Sequence, residues 1–134
     1  MGLVIDTGVT IEAERKRLRL SEILGDIPDS ECFLSVITLS ELLHGVERAS
    51  TPQLRQKRIE FLNPILQRYP ILPIDSEVAR VHAVIWADLL SRGSMIGFHD
   101  LWIAATYIHH GHEIITLNQK DFRRVPGLVV RGLS

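Results

Sequence analysis

The sequence predicts an α/β protein: a three-layer α/β/α sandwich with a mostly parallel central sheet. Short apolar runs that suit buried strands alternate along the chain with longer segments of helical periodicity. The connections between them are short, which favours right-handed crossovers and a sheet covered by helices on both faces. With 134 residues, 46% of them hydrophobic, the chain is long enough for a single domain over residues 1–134.

Each predicted strand is a brief apolar run. We expect strands over residues 2–6, 32–37, 71–74, 113–117 and 128–130. The predicted helices have apolar residues three or four apart and boundary signals at their ends. Thr51-Pro52 supplies an N-cap and a proline at the first helical position, while Gly93 and Gly111 are C-cap glycines. We expect helices over residues 9–24, 38–48, 51–69, 76–92 and 99–110.

Three acidic residues lie where a predicted strand gives way to a helix or where a helix begins. Asp6 ends the run Leu3-Val4-Ile5, Glu41 follows the second apolar run, and Asp100 opens the fifth helix. In a parallel sheet such switch points gather at the carboxyl ends of the strands, where ligands bind. Asn118 follows the fourth predicted strand to the same edge. The pattern predicts a cluster of carboxylates.

Each acid also has a purely structural interpretation. Asp6 could cap the helix that follows the first strand. The stretch Thr38-Leu39-Ser40-Glu41 matches a capping box, in which Glu41 would only reach back to Thr38. Asp100 would be favoured in the first turn of its helix by the helix dipole. The occurrence of all three acids at switch positions favours a functional cluster over three separate caps.

Such a cluster needs a neutralising charge. Two carboxylates about 5 Å apart repel by roughly 3 kcal/mol at an effective dielectric constant of about 20. Protons or a cation must therefore compensate for the repulsion. Oxygen ligands without cysteine or histidine suit Mg²⁺, with Mn²⁺ as a substitute, and such an ion activates water for attack on a phosphodiester.

The residues around these acids resemble the PIN-domain family, specifically its VapC-like ribonuclease toxins. Four stretches carry the resemblance in order over essentially the whole chain, and the ending Arg124-Val125-Pro126-Gly127-Leu128 is similar too. They are Leu3-Val4-Ile5-Asp6-Thr7, the segment 34–42 around Glu41, the segment 96–106 around Asp100, and Ile115-Thr116-Leu117-Asn118 with Asp121-Phe122. No single motif is specific to this family, but the occurrence of all four in this order and at these separations is.

The resemblance implies an Mg²⁺-dependent endoribonuclease that acts as the toxin of a toxin–antitoxin pair and hydrolyses RNA with a metal-bound water. Asp6, Glu41 and Asp100 would be the catalytic and metal-binding acids, and Asn118 the fourth site residue. Thr7 and Thr116 would support the acids or the waters of the ion. The implied partners are RNA, a cognate antitoxin laid in a groove between the early helices, and a second copy of the chain in a homodimer.

The sequence departs from the family pattern at three places. Gly8 stands where the family often has Asn or Ser, and His99 stands where Asn is common. Asn118 is uncharged, which would weaken a second metal site. Asp121 could partly replace it or could cap the following turn. These departures favour one well-held metal ion.

Two other classes of function compete with the nuclease. The first alternative is a non-catalytic PIN-like module that binds RNA or protein. Gly8 and Asn118 leave this alternative possible, whereas the three intact acids argue against it. A phosphatase or phospho-acceptor with Asp6 as nucleophile fits less well. A phosphatase of the haloacid-dehalogenase type needs a second Asp at the position that Gly8 occupies. A receiver domain needs a lysine near the site, but the first lysine after the fourth strand is Lys120.

Bulk composition limits the partners. The net charge is −1, so no global basic field attracts nucleic acid, and local cations must contact any phosphates. Lys120, Arg123 and Arg124 are the candidates, because they follow the strand that delivers Asn118. No apolar stretch approaches the length of a membrane span and Asp6 interrupts the first apolar run, so we expect a cytoplasmic protein without membrane contact.

Overall fold

The structure is a computed structural model that describes residues 2–132. Its five strands are short, and its seven α-helices vary from four to seventeen residues. The strands are β1 (Leu3–Ile5), β2 (Cys32–Ser35), β3 (Ile71–Leu72), β4 (Glu113–Thr116) and β5 (Val130–Gly132). The helices are α1 (Thr7–Arg15), α2 (Leu20–Leu24), α3 (Val36–Glu47), α4 (Pro52–Arg68), α5 (Ser76–Ser91), α6 (Phe98–His110) and α7 (Gln119–Phe122).

The strands form one sheet in the order β3-β2-β1-β4-β5, and every adjacent pair is parallel. The predicted α/β fold with a mostly parallel sheet is therefore confirmed. β1 lies in the centre of the sheet. The chain first adds β2 on one side of β1 and later adds β4 on the other side. The ends of β1 and β4 thus lie side by side, which positions the residues that follow them.

The prediction of one continuous helix over residues 9–24 is wrong. Two helices, α1 and α2, occupy this stretch and are separated by a turn at residues 16–19. Arg17 has a φ of 57°, in the left-handed region, and the Leu18 amide bonds back to the carbonyl of Ala13. A continuous helix is incompatible with this backbone, because non-glycine residues adopt left-handed conformations singly rather than in helices.

Other boundaries shift for identifiable reasons. β2 ends at Ser35 rather than at Ile37, since the Ser35 side chain accepts a hydrogen bond from the Thr38 amide and starts α3 two residues early. β3 stops at Leu72 because Pro73 has no amide hydrogen for the ladder. The last strand is Val130–Gly132 rather than 128–130, and the short helix α7 was not predicted.

Hydrophobic residues pack on both faces of the sheet. One cluster joins Val4 and Ile114 to α5 and α6 through residues such as Leu89 and Leu101. The other joins Ile5 and Leu34 to the N-terminal helices and to Ile65 of α4. Cys32 is buried in this second cluster, as expected of a small core residue. The sheet is thereby held as a rigid platform for the groups at its edge.

No helix within residues 2–132 is long and apolar enough to span a lipid bilayer.

Candidate functional site

The switch positions meet at the carboxyl edge of the sheet. Asp6 follows β1 directly, and its amide donates to the carbonyl of Ile115 on β4 at 3.0 Å. Glu41 comes from the second turn of α3, and Asp100 comes from the first turn of α6. Asn118 is the residue before α7. The structure therefore brings together the four polar residues that the sequence singled out.

Asp6 is buried, with 5% of its surface exposed, and both of its carboxylate oxygens accept hydrogen bonds. The Thr7 amide donates to Oδ1 at 2.9 Å, and Thr116 Oγ1 donates to Oδ2 at 2.7 Å. Burial raises the pKa of Asp6, the bonds from Thr116 and Thr7 lower it, and the nearby charge of Glu41 raises it. Asp6 does cap α1, but it also belongs to the acidic cluster.

Hydroxyl groups link Glu41 to the start of α3. Thr7 Oγ1 donates to Glu41 Oε1 at 2.7 Å and lies 3.0 Å from Thr38 Oγ1. Thr38 Oγ1 in turn lies 3.2 Å from Ser35 Oγ. The N-cap of α3 is Ser35, so the capping-box interpretation of Thr38 and Glu41 is wrong. Glu41 is held towards the site by Thr7 rather than towards its own helix terminus.

The neighbouring acidic residues raise the pKa of Asp100. Its pKa is raised to about 6, first by burial and then by the charges of Asp6, Glu41 and Asp121. The His99 ring opposes this shift, and its Nδ1 lies 3.5 Å from Glu41 Oε2. Within residues 2–132, no lysine or arginine contributes to the pKa shift of Asp100. The carboxylates of Asp6, Glu41 and Asp100 therefore repel one another without a lysine or arginine to neutralise them, whereas Asp121 has Arg124 Nη1 3.9 Å from its Oδ1.

This donor set fits a hard divalent cation. Within the described residues, no three His, Cys, Asp or Glu side chains converge closely enough to hold one ion together. Mg²⁺ does not need such a set, because it keeps several waters and takes only one or two carboxylates directly. Uncompensated carboxylate charge and oxygen donors match that mode of binding.

Asn118 and one of the predicted phosphate-binding cations, Arg124, contact Asp121. The Asn118 side-chain amide donates to Asp121 Oδ2 at 3.0 Å, and its backbone amide donates to Thr116 Oγ1 at 2.8 Å. Arg124 donates to the carbonyl of Met95 at 3.1 Å. Lys120 and Arg123 are exposed. Of the three candidate cations, Lys120 and Arg123 are thus the better placed to meet a polyanion.

Sequence reasoning assigned no role in the site to three polar residues that lie near it. Ser35 and Thr38 are fully buried and form the hydroxyl row that leads to Glu41. Tyr107 is also fully buried, and its pKa is raised by burial and by the three acids. The signal for Tyr107 was its spacing of seven residues from Asp100, which places the two on one face of α6.

The histidines near the end of α6 form a separate group. His110 and His112 stack with ring centroids 5.9 Å apart, and His112 Nδ1 accepts the Gly2 amide at 3.0 Å. Burial lowers the pKa of both rings, as does the neighbouring positive charge of another histidine. Within residues 2–132, no three His, Cys, Asp or Glu side chains at this end of α6 are arranged to hold a metal ion. These histidines act as packing groups.

Thr116→Val should weaken the site without enlarging a cavity, since the two side chains have similar shapes. The change removes the donor to Asp6 Oδ2 and the acceptor of the Asn118 amide. We expect a loss of about 1–2 kcal/mol in the free energy of unfolding, measured by urea denaturation, and a fall of roughly tenfold in any activity that depends on Asp6. Unchanged stability and activity would contradict the hydrogen-bonding role.

Comparison with known proteins identifies the family. The sequence matches the PIN domain family over residues 3–128. It is 38% identical to Ribonuclease VapC1 of Rickettsia felis over 100% of this chain and 98% of that protein. A chain of the VapBC-5 toxin–antitoxin complex of Mycobacterium tuberculosis is 30% identical, with a TM-score of 0.75 and coverage of 99% and 98%.

The promoter-bound VapBC2 complex of Rickettsia felis contains a chain with a TM-score of 0.89 at 23% identity, covering 100% of both chains. At that identity the likeness shows the fold alone. The family match extends from β1 to just before β5, and the Rickettsia felis ribonuclease aligns with the full length. The chain therefore belongs to the PIN-domain family, within its VapC-type branch.

Proposed function

We propose that this protein is a metal-dependent endoribonuclease and the toxin of a toxin–antitoxin pair. The observation that carries the proposal is the uncompensated carboxylate cluster of Asp6, Glu41 and Asp100 at the carboxyl edge of the sheet. Its relatives named ribonuclease supply the reaction class. A binding module without turnover would have no need to keep Asp100 at a pKa of about 6 among like charges.

Asp100 and Asp6 would hold Mg²⁺, or Mn²⁺ in its place. Each Asp6 oxygen already accepts one hydrogen bond, which fixes its orientation and leaves a further lone pair. When bound, the ion supplies positive charge at the phosphate and acidifies the attacking water. Glu41, which accepts a hydrogen bond from Thr7 Oγ1, would orient that water. Lys120 and Arg123 would contact flanking phosphates and so position the RNA strand.

The test is cleavage of a mixed pool of single-stranded and structured RNA by purified chain freed of antitoxin. We expect cuts with Mg²⁺ or Mn²⁺ and none with EDTA. Metal-independent cutting would overturn the proposed mechanism. Binding of RNA without any cutting, in the presence of bound metal, would favour a non-catalytic module instead.

The antitoxin would lie in a groove between the N-terminal helices and α4. Two adjoining cavities of about 720 and 480 Å³ share Glu14, Arg17, Lys57 and Phe61, and the second reaches Glu41. Their apolar walls suit an amphipathic helix. Because the groove ends at Glu41, a basic side chain of the antitoxin would meet the acidic centre and compete with the metal.

Phe61→Asp should therefore release the antitoxin. Phe61 lines both cavities, so a charge there would be buried against the apolar face of the bound segment. With the cognate antitoxin co-expressed, we expect binding at least a hundredfold weaker by calorimetry. Lys120→Asp, outside both cavities, is the control. Equal affinity of the Phe61 variant and the wild type would exclude this groove.

A second copy of the chain would pack against the outer face of α5. This face is apolar and exposed at four positions with spacings of four, three and four residues: Ala79, Ala83, Trp86 and Leu90. An antiparallel pair of such helices sets Ala79 against Leu90 of the second copy, and Ala83 against its Trp86. Each small side chain then meets a large one, so the surface is self-complementary about a two-fold axis.

Ala83→Arg should convert this dimer into a monomer, since it sets a charge at the centre of the apolar face. Sedimentation equilibrium checks the expected halving of mass. Val84→Arg on the opposite side of the same helix, where Val84 is 71% exposed, is the matched control and should stay dimeric. Dimers of both variants would place the interface elsewhere.

A further inference from the structure

Cations outnumber acids on the walls of the two adjoining cavities between the N-terminal helices and α4. Each cavity is lined by four lysine or arginine side chains and by only two glutamates. Two of these cations, Arg17 and Lys57, line both cavities and so lie where the cavities adjoin, together with Phe61. The net charge of the whole chain is −1, so this excess of positive charge is a local property of the groove.

Arg17 and Lys57 differ from the other cations of the groove in having no acidic partner on this chain. Neither of them forms an ion pair or a side-chain hydrogen bond within residues 2–132, and both are exposed. Three of the other cations on the walls pair with acids, at nitrogen–oxygen distances of 3.4, 3.0 and 3.9 Å: Arg15 with Glu12, Arg19 with Glu22, and Arg58 with Glu14. The charges of Arg17 and Lys57 are therefore available to a partner.

The backbone gives independent support for a binding role of Arg17. Its φ of 57° lies in the left-handed region, and no other non-glycine residue within 2–132 has a positive φ. This conformation costs free energy for a residue with a side chain, whereas glycine adopts it readily. Because the Arg17 side chain has no charged or hydrogen-bonding partner on the described chain, nothing there offsets the cost. A bound acidic group would offset it.

A protein segment fits this groove better than RNA does. Phe61 and Ile65 contribute apolar surface to the first cavity, and Phe61 and Leu62 contribute it to the second, which suits the apolar face of a helix. An RNA backbone needs cations along its path, whereas Glu14 and Glu60 interrupt the cationic wall. A segment with a single acidic side chain at the junction meets the cations and avoids both glutamates.

We propose that the antitoxin segment in this groove carries an aspartate or glutamate that pairs with Arg17 and Lys57, in addition to the basic side chain that meets Glu41. A segment with its charges in this order is attracted at both places, and one with the reverse order is repelled at both. The charge order thus selects the cognate antitoxin among segments of similar hydrophobicity. The inference rests on the proposed antitoxin groove and names the chemistry of its occupant.

The first test is binding of the cognate antitoxin to charge-reversed variants of the full chain, measured by calorimetry. Arg17→Glu and Lys57→Glu should each weaken binding roughly tenfold in about 0.1 M KCl, and by no more than about threefold in about 1 M KCl, where the charges are screened. Arg48→Glu is the matched control and should bind like the wild type, because Arg48 is exposed and lines neither cavity.

Arg17→Gly separates binding from folding. Glycine adopts the left-handed turn without strain, so this variant should keep or raise the Tm of the free chain while it weakens antitoxin binding. A second test selects antitoxin variants that restore the growth of cells carrying the Lys57→Glu chain. We expect the restoring substitutions to replace an aspartate or glutamate by lysine or arginine.

The outcomes that contradict the proposal can be told apart. If Phe61→Asp releases the antitoxin while both charge-reversed variants bind like the wild type, the charge pairing is wrong and the groove remains. If Phe61→Asp also binds like the wild type, the groove itself is wrong. A loss of affinity that is equal at both salt concentrations would show a packing role. Weaker RNA binding with unchanged antitoxin binding would assign Arg17 and Lys57 to the RNA instead.

Discussion

Asp100→Asn should abolish RNA cleavage, with a fall of at least a thousandfold in rate and retention of the fold. The substitution keeps the size of the side chain and its place in the first turn of α6 while removing its charge. Asp100 is held near Asp6 and Glu41, so its loss removes a proposed ligand of the ion rather than a surface charge. Initial rates on a labelled single-stranded RNA, at saturating Mg²⁺, measure the effect.

Asp88→Asn is the control for this result. Asp88 of α5 forms a surface ion pair at 2.6 Å with Arg92, the residue after that helix, and is not among the groups that shift the pKa of Asp6 or Asp100. Surface pairs of this kind contribute little, so both rate and stability should stay near those of the wild type. Cleavage by Asp100→Asn within tenfold of the wild-type rate, with circular dichroism unchanged, would show that the catalytic assignment is wrong.

The metal-free protein should become more stable relative to Asp100→Asn as the pH falls from 7.5 to 4.5. The pKa of Asp100 is about 6 in the folded chain, above its ordinary value of 3.8. Above pH 6 the carboxylate is ionised in both states, and the folded state bears the full repulsion. Between pH 6 and 4 the folded state takes up the proton first, which relieves that repulsion.

At pH 7.5 we expect Asp100→Asn to be more stable than the wild type by on the order of 2–3 kcal/mol, and at pH 4.5 we expect the difference to have fallen to about 1 kcal/mol. Urea denaturation in EDTA at several pH values measures it. The comparison with the variant is needed because His82, His110 and His112, whose pKa values are lowered, destabilise both proteins on acidification. A difference that does not change with pH would rule out the repulsion.

The acidic cluster was predictable because strand and helix periodicity locate the switch points, and a parallel sheet brings those points to one edge. Asp6 and Asn118 follow directly from this logic, since each comes after an apolar run. Glu41 required one more step, because its sequence context equally matched a capping box. The sequence could not show that Ser35 is the cap, which depends on β2 ending two residues early.

What the sequence could not supply were features that depend on backbone geometry and on the filling of space. The left-handed conformation of Arg17 divides the first helix, and nothing in its charged neighbourhood marks the break. The sequence did not single out Tyr107, because its spacing from Asp100 acquires meaning only when α6 is packed against the sheet. The sequence also did not reveal that the apolar face of α5 is exposed, since an apolar helix face is expected to be buried.

The most direct measurement of the central claim is Mn²⁺ occupancy and RNA cleavage in the same titration. Free Mn²⁺ is followed by electron paramagnetic resonance while the cleavage rate of one RNA is recorded for the wild type, Asp6→Asn and Asp100→Asn. We predict that rate and occupancy rise together in the wild type and that both stay low in the two variants. Full cleavage before any Mn²⁺ is bound, or wild-type binding by both variants, would contradict an acidic metal centre.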